Sequence, residues 1–472
     1  MKTLLKPLAA LGLLASVITG CGKTEALSPS QLAEQNKPGT VMIQTVHKAQ
    51  FSVPDYQLNQ AKMQQFTDSL RQRIARGEIK SEQQAVVALV EAMFSDPLSY
   101  FEPIRDRVEK TTEINTTGSA LAVTEDGYLI TNAHVVSSEQ DDLKDALAGS
   151  ALEDVATASC QSIWNDFEDD GYQEAIGALM GTKEFVQLCL QAHAKYYAHY
   201  MELDALDTEI YAALGSATTR DQIIEQGYKA TVKAEGEPTP GKDVAILKIE
   251  AENMPTIALG DDKDMAAGDR MYILGYPGAG TLDDAETLEP SLTAGLVSAR
   301  KAMPDGWEIL QTDAAISGGN SGGPVFNEDG EAIGIATFGK VDPATGSKVE
   351  GVNFVIPMSV IQEFLQQADV EPALSDVSLL YQRGVQQFDT EQFKRALNTF
   401  RQVSEINPDY PYVQGYLSDT QAKLNQNGGS ALPLWAMVAG GAAGVLVLGA
   451  GGTYLMLRRA KISLPLFQTK SN

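Results

Sequence analysis

Hydrophobic and polar positions change rhythm several times along this chain, and the changes divide it. Two stretches are apolar throughout. Leu8 to Ile18 follows Lys2 and Lys6, and Leu434 to Leu457 runs 24 residues without a charge before Arg458, Arg459 and Lys461. Between them, short β-branched or alternating runs separated by turn residues predict strands at Thr40 to Val46, Ser119 to Thr124, Tyr128 to Thr131, Tyr228 to Lys233, Ala245 to Ile249, Arg270 to Leu274, Thr293 to Ser298, Ile333 to Ala336 and Asn353 to Ile356. Short strands at this spacing predict an all-β barrel or sandwich.

Helical texture interrupts the strands twice. Over about 47–112, Leu58, Phe66, Leu70 and Ile74 recur at helical spacing and Glu82 to Phe94 continues the pattern. Over about 137–227, the run Phe185 to Met201 predicts a partly buried helix through Phe185, Leu188, Cys189, Tyr196, Tyr197 and Tyr200. Residues 375–425 predict a helical segment in which Gly384, Phe393, Ala396, Phe400 and Pro408 stand at offsets resembling one tetratricopeptide repeat. A lone repeat cannot bury both faces of its helix pair. It therefore packs on the rest of the chain or on a protein partner, unless it is an amphipathic spacer.

The N-terminal apolar run is too short to span a bilayer and reads as an export signal over residues 1–20. Ile18-Thr19-Gly20-Cys21 resembles the bacterial lipobox, in which the cysteine is acylated; the alternative is an ordinary cleaved signal. Residues 22–28 then form a linker. The run 434–457 is long enough for a transmembrane helix, and the basic residues after it place 458–472 in the cytoplasm. The two ends predict one topology, a protein of the bacterial cytoplasmic (inner) membrane tethered to lipid at both ends. Everything between Cys21 and Leu434 then lies on the periplasmic or extracellular side.

Charge narrows the partners. Thirty-six Lys and Arg against 62 Asp and Glu leave a net charge of −26, which repels phosphate backbones and argues against nucleic acid. With Cys21 assigned to the signal, Cys160 and Cys189 remain as an even pair in an oxidising compartment, which predicts a disulfide. His193, one turn after Cys189, opens a competing metal set with Cys160 and His199. It lacks a second close ligand pair, so no metal or other cofactor is expected.

The chemistry concentrates in Gly319-Asn320-Ser321-Gly322-Gly323-Pro324. Glycines around one serine allow a tight turn that exposes its hydroxyl while backbone N–H groups converge beside it, as acyl transfer requires. The N–H groups of Gly319 and Ser321 are the candidate oxyanion donors. Serine needs an adjacent base, and of four histidines His134 ends a strand-like run, in Thr131-Asn132-Ala133-His134-Val135-Val136. A carboxylate must hold the imidazole tautomer. Asp243, just before the apolar run Val244 to Ile249, fits that role; Asp313, eight residues before Ser321, competes but suits the fixing of the nucleophile loop.

Thr117-Gly118-Ser119, Asp126-Gly127-Tyr128, Thr131 to Val136, Asp243 to Ile249, Leu259-Gly260-Asp261, Leu274-Gly275-Tyr276-Pro277, Thr293 to Ser298 and Gln311 to Pro324 together resemble the HtrA/Deg family of trypsin-like serine proteases, in the family's order. The resemblance spans about 29–366 if both helical stretches are insertions. It implies a mainly β, chymotrypsin-like fold of two six-stranded antiparallel β-barrels, with His134, Asp243 and Ser321 as the triad and Gly319 with Ser321 as the oxyanion hole. It also implies an ATP-independent endopeptidase acting on polypeptides, and the trimeric assembly common in the family. Three features depart from it: the large insertions, Ser317-Gly318-Gly319 in place of the family's Asn-Pro-Gly, and the tetratricopeptide-like segment where a PDZ module is usual. Ile316 and Phe354 are the expected specificity-pocket residues. Ala315 stands six residues before Ser321, where a trypsin-like acid would be, so cleavage after small or medium apolar residues is expected. Two other readings compete with protein quality control or processing by an active protease. One is a catalytically latent platform that binds partners through its insertions; the other, a purely structural envelope protein, leaves the three catalytic residue types unexplained.

Overall fold

Adjacent apolar residues point to opposite faces of a strand, and in this chain both faces are buried. The computed structural model describes residues 26–427 except 216–219, 277–288, 342–344 and 346; the export signal, Cys21, the apolar run 434–457 and the tail lie outside the described residues. Among the described residues no helix is long and apolar enough to cross a membrane. The first six strands are β1 (Thr40–Leu58), β2 (Phe101–Ala122), β3 (Tyr128–Thr131), β4 (Glu202–Leu214), β5 (Tyr228–Glu235) and β6 (Ala245–Ile249). They close an antiparallel barrel in the order β1-β2-β3-β6-β5-β4. The next six are β7 (Arg270–Gly275), β8 (Ser291–Ala302), β9 (Glu308–Thr312), β10 (Pro324–Phe326), β11 (Ala332–Val341) and β12 (Lys348–Pro357). They close a second barrel in the order β10-β11-β12-β9-β8-β7.

Period-two alternation then builds three cores from two barrels. Ala120, Leu129 and Leu247 point into the first barrel, and Ile273, Val325 and Val355 into the second. Their neighbours Leu121, Ile130, Ile246, Leu274, Phe326 and Ile356 point outward into a shared cluster between the barrels, joined by Phe364 and Leu365 of the helix Met358–Gln367. The strand runs are thus nearly all apolar because neither face meets water. Strands β4, β9 and β10 lie outside the predicted set. The acidic sequence of β4 and the short lengths of β9 and β10, five and three residues, hide their period.

The insertions correct the sequence expectation most. Their stated limits, about 47–112 and 137–227, are not wholly helical: residues 47–58 and 101–112 belong to β1 and β2, and 202–214 form β4. Strand β1 pairs with β2 from Thr40 to Leu58 and with β4 from Val41 to Ser52, so a three-stranded ribbon runs out of the first barrel. Helices cover that ribbon. Ala49 and Phe51 pack on Leu143, Leu147 and Ala151 of the helix Asp141–Asp169. The helix Glu82–Ser95 from the first insertion and Thr182–Tyr200 from the second share one core, in which Val90, Phe94, Ile176, Phe185 and Tyr196 meet. The helix Gln60–Ala75 carries Phe66, Leu70 and Ile74 but buries none of its residues fully, and Leu58 ends β1 instead. What reads as two grafts folds as one layer.

Cys160 and Cys189 are joined in a disulfide inside that layer. His193 lies beside it, its Nδ1 3.6 and 3.4 Å from the two sulfurs and 2.9 Å from the Cys189 carbonyl, its Nε2 2.8 Å from the Tyr56 hydroxyl. Both sulfurs are covalently committed and His199 is exposed, so these residues form no four-ligand set. Burial holds the His193 imidazole below its ordinary pKa and pushes the Tyr56 phenol upward. The network is therefore neutral and satisfied.

A second unit begins at Leu379. Among the described residues it contains most of the helix Asp376–Asp389, then Phe393–Ile406 and Val413–Asn427, three helices where a helix pair was expected. Ala396 and Phe400 are fully buried there, and the Phe400 ring stacks on Tyr416 at 4.8 Å.

The disulfide closes a loop with a sequence separation of 29, a constraint that contributes about 3 to 4 kcal/mol on chain-entropy arguments. Cys160→Ala with Cys189→Ala is expected to lower the denaturant midpoint of the helical layer by a corresponding amount. Chemical denaturation followed by far-UV circular dichroism checks this, and an unchanged midpoint contradicts it.

Candidate active site

The site begins with a strand register. Thr131 at the end of β3 pairs with Ala245 at the start of β6, so the chain leaving β3 and the chain entering β6 meet at one rim of the first barrel. Asn132 precedes a single helical turn, Ala133–Val136, and its side-chain amide donates to the Asp243 carbonyl at 2.8 Å. That turn lifts His134 over Asp243 although the two are 109 residues apart. The His134 backbone N–H donates to Asp243 Oδ1 at 2.8 Å, and Nδ1 lies 2.6 Å from Oδ2. Asp243 is 1% exposed and the His134 side chain 30%. A carboxylate only accepts, so the imidazole proton sits on Nδ1 and the Nε2 lone pair is left for base chemistry.

The second barrel contributes the rest. Thr337 in β11 donates its hydroxyl to Asp243 Oδ2 at 2.8 Å, and its carbonyl accepts the Ser321 hydroxyl at 2.9 Å. Nothing in the sequence pattern marks Thr337, because it follows an apolar strand run as one more β-branched residue. The turn before Ser321 closes with the Asn320 N–H on the Ser317 carbonyl at 3.1 Å, and Gly319, its third residue, has φ +96°. This is a type II turn, which needs a positive φ at that place. Gly322 also has a positive φ, +83°, and a Cβ there would lie 2.1 Å from the Ser119 carbonyl oxygen. Among the described residues neither the Gly319 nor the Ser321 N–H is taken up by a hydrogen bond, leaving two backbone donors beside the Ser321 hydroxyl.

Asp313 does not join His134. Its Oδ1 accepts the Leu296 N–H at 2.7 Å, tying β8 to the stretch after β9 rather than fixing the nucleophile turn. Ile316 and Phe354 are not brought together. Ile316 packs inside the second barrel with Val325 and Val355, whereas Phe354 lies 4.9 Å from the Phe338 ring against the cluster between the barrels. Asn353, unnoticed in the sequence, donates to the Ala314 carbonyl at 2.8 Å and stiffens that stretch. His47 is buried in β1, its Nδ1 3.0 Å from the Thr208 hydroxyl, away from the triad residues.

Comparison with known proteins finds several likenesses over parts of the chain. Residues 204–335 match the trypsin-like peptidase domain family, a span that includes Asp243 and Ser321. A probable periplasmic serine endoprotease DegP-like of Pseudomonas fulva is 38% identical over 131 residues, 27% of this chain and 25% of that protein. A protein of the same description from Halomonas elongata is 31% identical over 40% of each chain. The putative serine protease HhoB of Synechocystis is 33% identical over 32% of this chain and 37% of that one. The chain thus spans a quarter to two fifths of the length of these relatives. Among solved structures, an HtrA-type protease with a decapeptide covers 72% of this chain and 66% of its own at 19% identity and a TM-score of 0.36.

The Asp243 carboxylate accepts three donors, and removing one tests how much the pair depends on the second barrel. Thr337→Val is expected to lower kcat about tenfold, since hydrogen bonds to charged groups contribute roughly 1.5 to 3 kcal/mol. Asp243→Asn, which favours the wrong tautomer, is expected to lower it about 10⁴-fold. Steady-state kinetics on one peptide substrate gives both values, and equal losses in the two variants contradict the assignment.

Proposed function

We propose that this chain, which resembles the HtrA/Deg family of trypsin-like serine proteases, is a membrane-tethered serine endopeptidase working outside the cytoplasm. The observation that carries the reading is the buried Asp243 holding His134 by two hydrogen bonds, with Ser321 on a glycine turn whose Gly319 and Ser321 N–H groups take no hydrogen bond among the described residues. In this reading His134 Nε2 takes the Ser321 proton as Oγ attacks a peptide carbonyl. The N–H groups of Gly319 and Ser321 receive the oxyanion, and Asp243 stabilises the imidazolium. The protonated His134 then gives its proton to the leaving amine, and a water repeats the sequence on the acyl-enzyme.

The periplasmic description of the relatives supports an extracytoplasmic place, as do the export signal and the apolar run 434–457. Lipid on Cys21 and a span at 434–457 would hold both ends at the cytoplasmic membrane. Protein quality control or processing of envelope proteins is the role, and trimeric assembly the expected state. The helices after Leu379 offer a surface for a protein partner. Ala315 in the place of a specificity acid supports cleavage after small or medium apolar residues.

One observation favours the second reading, a latent platform: the Ser321 hydroxyl is bonded to the Thr337 carbonyl, so its proton must leave that acceptor before His134 can take it. Exchanging one hydrogen bond for another is a small cost, about 1 kcal/mol, and we keep this as the resting state of an active enzyme.

Purified full-length chain in detergent, given casein and a fluorophosphonate probe, tests the proposal. Cleavage and labelling are expected, both absent in Ser321→Ala, with mass spectrometry placing the cuts after small or medium apolar residues. Silence from folded wild-type protein supports the latent reading, and cuts mainly after Lys or Arg refute the specificity.

A further inference from the structure

We propose that Ser119 is a positioning residue for the oxyanion turn, a role that rests on the endopeptidase reading and extends it to a residue outside the triad. Ser119 lies on β2 of the first barrel, fully buried, yet it holds the nucleophile turn of the second. Its backbone N–H donates to the Ser321 carbonyl at 2.7 Å, and its hydroxyl donates to the Gly319 carbonyl at 2.6 Å. The turn is therefore gripped on both sides of Asn320.

The direction of the hydroxyl proton is forced. Ser119 Oγ accepts the Tyr276 N–H at 2.9 Å, which leaves its single proton for Gly319. The Ser119 strand is itself anchored, because the Ser119 carbonyl accepts the hydroxyl of Thr131, the last residue of β3, at 2.7 Å. One residue thus links the base's strand, the second barrel's β7 edge at Tyr276 and both carbonyls that flank Asn320.

The turn needs such a tether. Its two central residues are Gly318 and Gly319, the least restrained pair a chain can place there. Rotation of the peptide between them would carry the Gly319 N–H away from the oxyanion position. Fixing the Gly319 carbonyl restricts that residue's ψ and, with the Asn320 N–H bond to Ser317, holds the type II form. Ser119 would never touch substrate; it would act through the geometry of Gly319.

This account makes a reversal possible. Proline suits the second residue of a type II turn and stiffens it independently of any tether, and a Cβ at Gly318 meets nothing within 4 Å. In full-length protein, Ser119→Ala is expected to lower kcat on a peptide substrate by about tenfold or more, below the 10²- to 10³-fold effect of deleting an oxyanion donor outright. KM is expected to stay within about twofold, and Ser119→Ala with Gly318→Pro to regain most of the lost kcat. Folded Ser119→Ala with wild-type kcat overturns the proposal, as does a loss that Gly318→Pro does not repair. Should Ser119→Ala fail to fold, Ser119→Cys keeps the side-chain shape with a larger atom and a weaker donor; the same kcat-only loss is expected, and wild-type kcat there overturns it. Wild-type protein that neither cleaves nor labels refutes the endopeptidase reading itself, a result distinct from any difference among these variants.

Discussion

A carboxylate at 1% exposure is costly unless donors satisfy it, and the donors around Asp243 come from both barrels. The His134 backbone and ring supply two from one rim of the first barrel, and Thr337 supplies a third from β11 of the second. This charge therefore imposes a docking condition. The two barrels must meet with β11 against the β3–β6 rim, and the cluster around Leu121, Ile246, Leu274 and Ile356 supplies the apolar burial that holds them there. Tautomer, base and nucleophile follow from the same contact, because Thr337 holds Asp243 by its hydroxyl and Ser321 by its carbonyl.

The long excursion between His134 and Asp243 is accommodated because it leaves the barrel after β3 and returns to it as β4 and β5 before β6. Register between β3 and β6 positions both residues, and loop-closure entropy grows only slowly with length. What a long insertion does require is its own burial. Here β1 is prolonged past the barrel, β2 and β4 flank it, and helices from both insertions cover the ribbon around one disulfide-linked core. The first barrel and this layer thus share the strand β1.

Much of this was legible in the sequence because it is local. Glycines around Ser321, a histidine ending a strand run and an aspartate opening the next apolar run each mark themselves within a few residues. Thr337 and Ser119 act through hydrogen bonds 94 and 200 positions away, and no short-range period reports such contacts. The strand β4 was missed because Glu202, Asp204 and Asp207 face water on a ribbon covered on one side, which breaks the apolar rhythm. Ile316 and Phe354, both expected at the specificity pocket, pack against different apolar clusters, a matter of side-chain direction that spacing does not report. The two insertions looked independent because a shared core between distant segments leaves no mark in either.

The central claim is that Asp243 holds His134 with its proton on Nδ1. Nitrogen-15 NMR of histidine-labelled protein at neutral pH reads this directly. The account predicts a protonated Nδ1 and an unprotonated Nε2 for His134, with a strongly hydrogen-bonded Nδ1 proton that disappears in Asp243→Asn. A His134 protonated on Nε2, or an Nδ1 proton that Asp243→Asn leaves unchanged, would contradict it.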